Sequence, residues 1–514
     1  MKAVASLIDS DWLERGWLTA SGGFVGQLVA GVEATDLFER LAEVPGLLFL
    51  ESSPAAADVH RLARFSFLAV DPLETVRCEQ ATTSAEATAV LAEVGSRLAQ
   101  VATPSIPGLP PFQGGFAGLL SYDHGLALLG LAPPSANPAT PSVVMPLYDV
   151  VFAFDHARQR AWLISQGFAP VGLPDGGPVA RQTRSVARAD AMLARLGAIG
   201  DPPPRQGMQT VAAVMPAQQQ TPLPGHAGIL ATHTPEAYRT MVADAVELIR
   251  RGDIFQVNLA QRFAVERCPS PVAVHLVARQ VNAAPFAAVV DLSGRGLPAG
   301  DWIVSSSPER LLQVSAGTRR LAQMHPIKGT RRVIRSPEAD LYAGADLDAS
   351  EKDRAENVMI VDLVRNDLSR VCEPASVRVE SLCRLERYAY VQHLVSVVSG
   401  RLRANAGAVD CLAAVSPGGS VTGAPKRRAC EIISELEGIA RGPYCGSIGY
   451  LSCDGAADFN ILIRTFVAAG GCLTFSAGGG ITAASQPADE YAETLHKAEG
   501  MLRVLEAVYA GGGA

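Results

Sequence analysis

Short apolar runs broken by glycine and proline dominate residues 1 to 167: GLLFLESS, RFSFLAVDP and DVVFAFDHARQRAWLIS. Runs of this length between turn formers predict strands. From 168 to 232 the character changes. One amphipathic stretch, VARQTRSVARADAMLARLGAI, sits among segments such as DPPPRQG and PAQQQTPLPG, which predict a linker or a long surface excursion. From 233 to 510, helix and strand signals alternate densely.

The third region opens on a helix. Thr234 caps it, Pro235 suits its first turn, and Tyr238, Met241, Val242, Ala245, Leu248 and Ile249 form one apolar face. The following IFQVNLAQRF alternates: Phe255, Val257 and Leu259 face one way, Gln256 and Asn258 the other. Such a strand is either half solvated or lines a wet cavity, and periodicity alone favours the first.

SEKDRAENVMIVDLVRNDLSRV predicts a helix with Met359, Ile360, Leu363 and Val364 inward, and PADEYAETLHKAEGMLRVL predicts a second. Asp353 and Glu356 share a face of the first. Glu490 and Glu493 do so on the second, with Lys497 four residues beyond. Two such pairs suit Mg²⁺, a hard cation that takes oxygen ligands and keeps several waters. The same spacing also describes ordinary exposed helix pairs, and by itself it favours that reading.

Three further stretches carry candidate chemistry. In MHPIKGTRRV, Pro326 and Gly329 predict a turn around Lys328, which becomes nucleophilic only if burial or neighbouring cations lower its pKa. SPGGSVTGAPKRRACEIISELEG runs from a Gly/Ser/Thr-rich loop into a helix near Pro425, a junction that aims N–H groups at anions. In FNILIRTF, Arg464 interrupts an apolar strand, and Gly478, Gly479 and Gly480 in LTFSAGGGI allow close backbone approach to a ligand. For Arg464, a structural ion pair and a ligand anion are equally good partners.

Composition narrows the class. With 514 residues, 48% of them hydrophobic and 18% charged, the chain is an ordinary globular one with a sizeable core. A net charge of −7 without a Lys/Arg stripe argues against nucleic acid as a partner. No apolar run reaches the roughly 18 residues a membrane span requires. The nine cysteines form no C-x-x-C pair and fit reduced thiols in the cytoplasm, and the N-terminus has no clean apolar signal-peptide core.

The third region resembles the chorismate-binding family. That family includes anthranilate synthase component I, aminodeoxychorismate synthase component I, isochorismate synthase and salicylate synthase. The resemblance is carried by GDIFQVNLAQRF, SSPERLL, PIKGTRR, EKDRAENVMIVDLVRNDLSRV, VQHLVSVVSG, SPGGSVTGAPKRRACEII, RGPYCGSIGYLS, FNILIRT, AGGGI and DEYAETLHKA. LLFLESS, RFSFLAVDP and FQGGFAGLLSYD extend it into the first region. It implies an α+β fold of large antiparallel sheets in a sandwich flanked by outer helices.

The resemblance also implies roles. Glu356 and Glu493 would be direct Mg²⁺ ligands, with Asp353 and Glu490 holding metal-bound waters. Gly329 and Thr330 would hold the ring carboxylate of chorismate. Tyr450, Arg464 and Gly478, Gly479 and Gly480 would hold its enolpyruvyl carboxylate, and Lys497 joins the substrate-binding set. Glu309 would be the general acid at the departing C4 hydroxyl, and His393 would lie at the ring. Isochorismate and salicylate synthases carry a lysine base where this chain has Gln256, which argues against those activities. Anthranilate synthases usually read P-I-A-G-T, whereas P-I-K-G-T, with Lys328 as nucleophile, implies 4-amination to 4-amino-4-deoxychorismate for 4-aminobenzoate and folate. Ammonia would come from a separate glutamine amidotransferase subunit. The rivals are anthranilate synthesis and a non-catalytic tryptophan-sensing paralogue, since Glu51 and Ser52 match a motif that forms a tryptophan pocket in relatives. His325 and the TAASQP stretch after AGGGI depart from the usual pattern.

Overall fold

The computed structural model describes residues 10–52, 63–134, 140–199, 221–297, 300–332, 344–387 and 391–511. Two antiparallel sheets, of 14 and 10 strands, dominate it. Alternation along the strands explains how they stack. Val151, Ala153, Ile164, Val290 and Ile303 of the larger sheet meet Ala117, Leu119 and Ile448 of the smaller in one buried cluster between the sheets. Their neighbours in sequence point outward. Phe152, Phe154, Leu163, Val289 and Val304 lie under the helices Ala34–Leu41, Gly177–Ala198, Pro271–Val281 and Pro487–Gly511. Phe116, Leu120, Leu312 and Phe459 lie under Ser84–Gln100, Glu351–Ser369 and Ala408–Val415. The result is the sandwich with outer helices implied by the sequence.

Both sheets mix strands from the two ends of the chain. In the larger, Leu48–Glu51 pairs with Phe286–Asp291; in the smaller, Gly115–Leu120 pairs with Ser447–Ser452. The first and third regions thus share one core. The amphipathic stretch between them is a packed helix, Gly177–Ala198, that buries Ala189, Met192, Leu193 and Leu196. Residues 200–220 of that excursion lie outside the described residues.

The helix Pro235–Arg250 is capped by Thr234, whose hydroxyl accepts from the Ala237 N–H at 3.1 Å, and it buries Tyr238, Met241, Val242 and Ala245. Three expectations change. The strand Gln256–Val265 is buried on both faces rather than half solvated, and Phe255 lies outside it, 72% exposed. The PIKGT segment is a strand, Ile327–Arg332, instead of a turn. FNILIRTF is not one strand. Ala457–Asn460 belongs to the smaller sheet and Thr465–Ala469 to the larger, so residues 461–464 cross between sheets and Arg464 adopts φ +52°. All nine cysteines are free thiols, and among the described residues no helix is long and apolar enough to cross a membrane.

Candidate active site

The strand carrying Lys328 pairs antiparallel with Val391–Arg401, Lys328 opposite Leu394 and Thr330 opposite His393. Gly329 falls in the register shift between those pairs, at φ +77°. A Cβ there would lie 2.7 Å from Leu347 Cδ1 and 3.0 Å from Asp353 Cγ. Glycine is therefore required both by the backbone and by the helix end packed on it. His393 is buried, with Nδ1 3.4 Å from the Gly329 carbonyl oxygen. The Thr330 side chain lies outside the described residues.

Across from Lys328, the strands Gln256–Val265 and Cys472–Ile481 pair with Asn258 opposite Gly480 and Ala260 opposite Gly478. Gln256, Asn258, Gly478 and Gly480 share one face, the polar face read from the sequence. A Cβ on Gly480 would sit 2.3 Å from Gln256 Nε2 and 3.2 Å from Lys328 Nζ. The missing side chain is what lets the amine and the carboxamide meet. A Cβ on Gly478 would strike the Leu259 carbonyl oxygen at 2.2 Å, so this glycine is fixed by strand packing. This face is buried, so the half-solvated reading of it falls.

Burial lowers the pKa of Lys328, and the Lys497 charge adds to that, against the opposing pull of Glu356, Glu309 and Glu493. Glu309 stands just ahead of the strand Arg310–Val314 and is buried. Burial raises its pKa to about 7, although hydrogen bonds from the Ser420 hydroxyl and the Ile327 N–H and the charges of Lys328 and Lys497 oppose the rise. The site thus pairs an amine pushed toward its neutral form with a carboxyl pushed toward its protonated form. The glycine-rich loop contributes Ser420, from the 3-10 turn Gly419–Val421, and runs into the helix Lys426–Glu437 just after Pro425. Sequence reasoning did not single out Ser420.

The carboxylate pairs are carried by two helices. Glu490 and Glu493 project from Pro487–Gly511 toward Gly479, where a Cβ would be 3.3 Å from Glu490 Oε2, 3.4 Å from Glu493 Oε1 and 3.6 Å from Lys497 Nζ. Lys497 pairs with Glu493 at 2.6 Å and donates to the Gly478 carbonyl at 2.9 Å. Asp353 and Glu356 project from Glu351–Ser369. Burial raises the pKa of Glu356, and the charges of Asp353 and Glu493 push the same way. Glu490 is raised by burial and by Glu493, while burial of Glu493 is outweighed by Lys497, which holds it low. Glu490 Oε1 accepts from Ser485 at 2.5 Å, and Oε2 is buried without a hydrogen-bond partner. Among the described residues no three acidic, histidine or cysteine side chains form a ready-made metal cage. What links the two pairs is charge: Glu356 lies within reach of the Glu493 carboxylate. The Lys352 charge also reaches Glu356, Glu490 and Glu493.

Arg464 is half-buried and has no carboxylate partner among the described residues; burial alone lowers its pKa. An ion pair among the described residues is therefore not what holds it. Tyr450 needs correction. Its ring stacks on Phe112 at 4.9 Å and meets Phe67 edge-on at 5.5 Å, inside the apolar cluster between the sheets. It packs in the core and is not placed to hold a carboxylate. Glu51 is likewise engaged: its carboxylate lies 2.9 Å from His275 Nε2 and 3.0 Å from Arg279 Nη2. Burial would raise its pKa, but these partners bring it below the usual value. Ser52 Oγ donates to the Pro285 carbonyl at 3.3 Å. His325 sits beside Arg310, and burial lowers its pKa to about 3, so it is neutral.

Aminodeoxychorismate synthase component 1 of Salmonella typhimurium is 35% identical over 483 residues, covering 92% of this chain and 96% of that protein. Anthranilate synthase component 1 of Streptomyces coelicolor is 38% identical over 422 residues, covering 81% and 77%. The crystal structure of anthranilate synthase component I from Streptococcus pneumoniae superposes with a TM-score of 0.69 at 29% identity, covering 86% of this chain and 92% of that one. The chorismate binding enzyme family matches residues 49–503, and this chain belongs to it.

Proposed function

We propose that this chain is a 4-aminating chorismate enzyme, converting chorismate and ammonia to 4-amino-4-deoxychorismate. The observation that carries this reading is the position of the Lys328 amine, beside Gln256 and Gly480, with a pKa lowered chiefly by burial. An amine whose pKa is lowered, within reach of a carboxyl whose pKa is raised, suits a double displacement. Lys328 Nζ bonds to C2 of chorismate while the C4 hydroxyl leaves as water with the Glu309 proton. Ammonia then bonds to C4, the C2–N bond breaks, and its electron pair returns to Lys328. The proton released by the new amine restores Glu309. Splitting the substitution in two directs nitrogen to C4 although the lysine attacks C2.

The two acidic pairs and the orphaned Glu490 Oε2 suit a hard cation that keeps several waters. We assign Mg²⁺ to Glu356 and Glu493, with Asp353 and Glu490 holding its waters. When bound it would neutralise and orient the carboxylates of the substrate. Arg464 and the backbone at Gly329 and Gly479 would hold the substrate, with His393 against its ring. Ammonia would come from a glutamine amidotransferase subunit, and the product would feed 4-aminobenzoate and folate in the cytoplasm.

Relatives named anthranilate synthase at up to 38% identity support a second reading, 2-amination followed by aromatisation. The test is mass spectrometry of the product made from chorismate, Mg²⁺ and ammonium. A non-aromatic amino product that yields 4-aminobenzoate with an added lyase supports the first reading. Anthranilate without the lyase supports the second.

A further inference from the structure

On the polar face of the Gln256–Val265 strand, Asn258 has no role in the scheme above. Its main chain is fully engaged: the N–H donates to the Thr422 carbonyl at 2.7 Å, and its carbonyl accepts from Arg441 Nη2 at 2.8 Å. Its side chain is not. Asn258 is 8% exposed, yet Oδ1 has no hydrogen-bond partner. A buried amide oxygen without a partner costs on the order of 1–3 kcal/mol, a penalty tolerated where a ligand supplies the bond. Gln256, two residues earlier on the same face, shows the same orphaned oxygen.

Position gives the two amides different neighbours. Gln256 adjoins Lys328. Asn258 is bound through its main chain to Thr422, two residues beyond the Ser420 that donates to Glu309. Directly opposite Asn258 in the sheet is Gly480, which has no side chain to partner the amide across the pair. Asn258 is thereby tied to the loop whose Ser420 donates to Glu309, the group beside which the C4 hydroxyl departs in the proposed reaction.

We propose that Asn258 holds the incoming ammonia, its Oδ1 accepting an N–H so that the nitrogen lone pair faces C4. This rests on the amination reading above. Ammonia fits because it keeps donors for an acceptor oxygen while its lone pair forms the new bond. The balance is unchanged: nitrogen bonds to C4, the pair of the breaking C2–N bond returns to Lys328, and the excess proton passes to the Glu309 carboxylate.

The test compares the purified full chain with Asn258→Leu and Asn258→Asp, with Mg²⁺, saturating chorismate and varied ammonium. Loss of one hydrogen bond of about 1.4 kcal/mol corresponds to about a tenfold rise in KM for ammonium. Asn258→Leu is expected to show that rise with KM for chorismate nearly unchanged, and still to form the lysine adduct when ammonium is left out. Asn258→Asp, which keeps an acceptor, is expected to bring KM for ammonium back toward the wild-type value. An unchanged KM for ammonium in Asn258→Leu, a parallel rise for chorismate, or loss of the adduct overturns the inference. Should thermal unfolding show Asn258→Leu misfolded, Asn258→Ala is read by the same criteria. A wild-type chain that forms no amino product at all overturns the proposed function instead.

Discussion

Lys328 and Gln256 meet across a glycine: a single Cβ placed on Gly480 would touch both, at 3.2 Å from the amine and 2.3 Å from the amide. Gly480 does not adopt a positive φ, so alanine is compatible with its backbone. Gly480→Ala is therefore expected to fold with a thermal midpoint near the wild-type value. Activity is expected to fall by about tenfold or more, the cost of displacing a reacting group by a fraction of an ångström. A drop in stability with no change in kcat would show that the contact is structural only.

Lys328→Ala removes the proposed nucleophile. Amination at C4 is expected to fall by roughly a thousandfold or more, while Mg²⁺ binding, followed by calorimetry, persists because Glu356 and Glu493 remain. Full retained activity would rule out the covalent route.

The Glu309 pKa of about 7 sets a basic limb. The acid form is needed for hydroxyl departure, and raising the pKa keeps that form populated to higher pH. kcat for chorismate is therefore expected to fall as pH rises through about 7. The groups facing Glu309 are Lys328, Lys497, Ser420 and the Ile327 N–H. Glu309→Gln, which carries no transferable proton, is expected to lose about 10²- to 10⁴-fold in kcat and the basic limb with it. A pH profile unchanged in that variant would assign the limb elsewhere.

Stability has its own test in the pair Glu437 and Arg441, buried at 3% and 2% side-chain exposure and 2.6 Å apart. Glu437 Oε1 accepts from the Ala260 N–H at 2.8 Å, and Arg441 Nη2 donates to the Asn258 carbonyl at 2.8 Å. The pair thus stands where a neighbouring strand would, on the strand that carries Gln256 and Asn258. Arg441→Met leaves the Glu437 charge buried and is expected to cost about 3–5 kcal/mol in urea unfolding. A change within experimental scatter would mean the pair is dispensable.

Much of the site was legible in the sequence because its parts are local. The i,i+3 carboxylate spacing places each pair on one face of a helix, and the alternation of IFQVNLAQRF assigns Gln256 and Asn258 to one face. What spacing does not encode is which distant elements meet. The pairing of Gly115–Leu120 with Ser447–Ser452 brings together segments over 300 residues apart. Nothing local announced it, so the first and third regions read as separate. Tyr450 shows the same limit on a smaller scale: in a strand buried on both faces, polarity does not tell which face a tyrosine takes, and here it takes the core. Arg464 read as a flaw in a strand because a crossing between sheets, like a strand, is apolar when buried.

The claim on which the rest depends is a bond between Lys328 and the substrate. Chorismate mixed with the chain and Mg²⁺ without any nitrogen source, quenched and digested for peptide mass spectrometry, tests it most directly. The account predicts chorismate less one water attached to the peptide containing Lys328, disappearing when ammonium is added before the quench. An unmodified Lys328 peptide, under conditions where ammonium supports turnover, would contradict it.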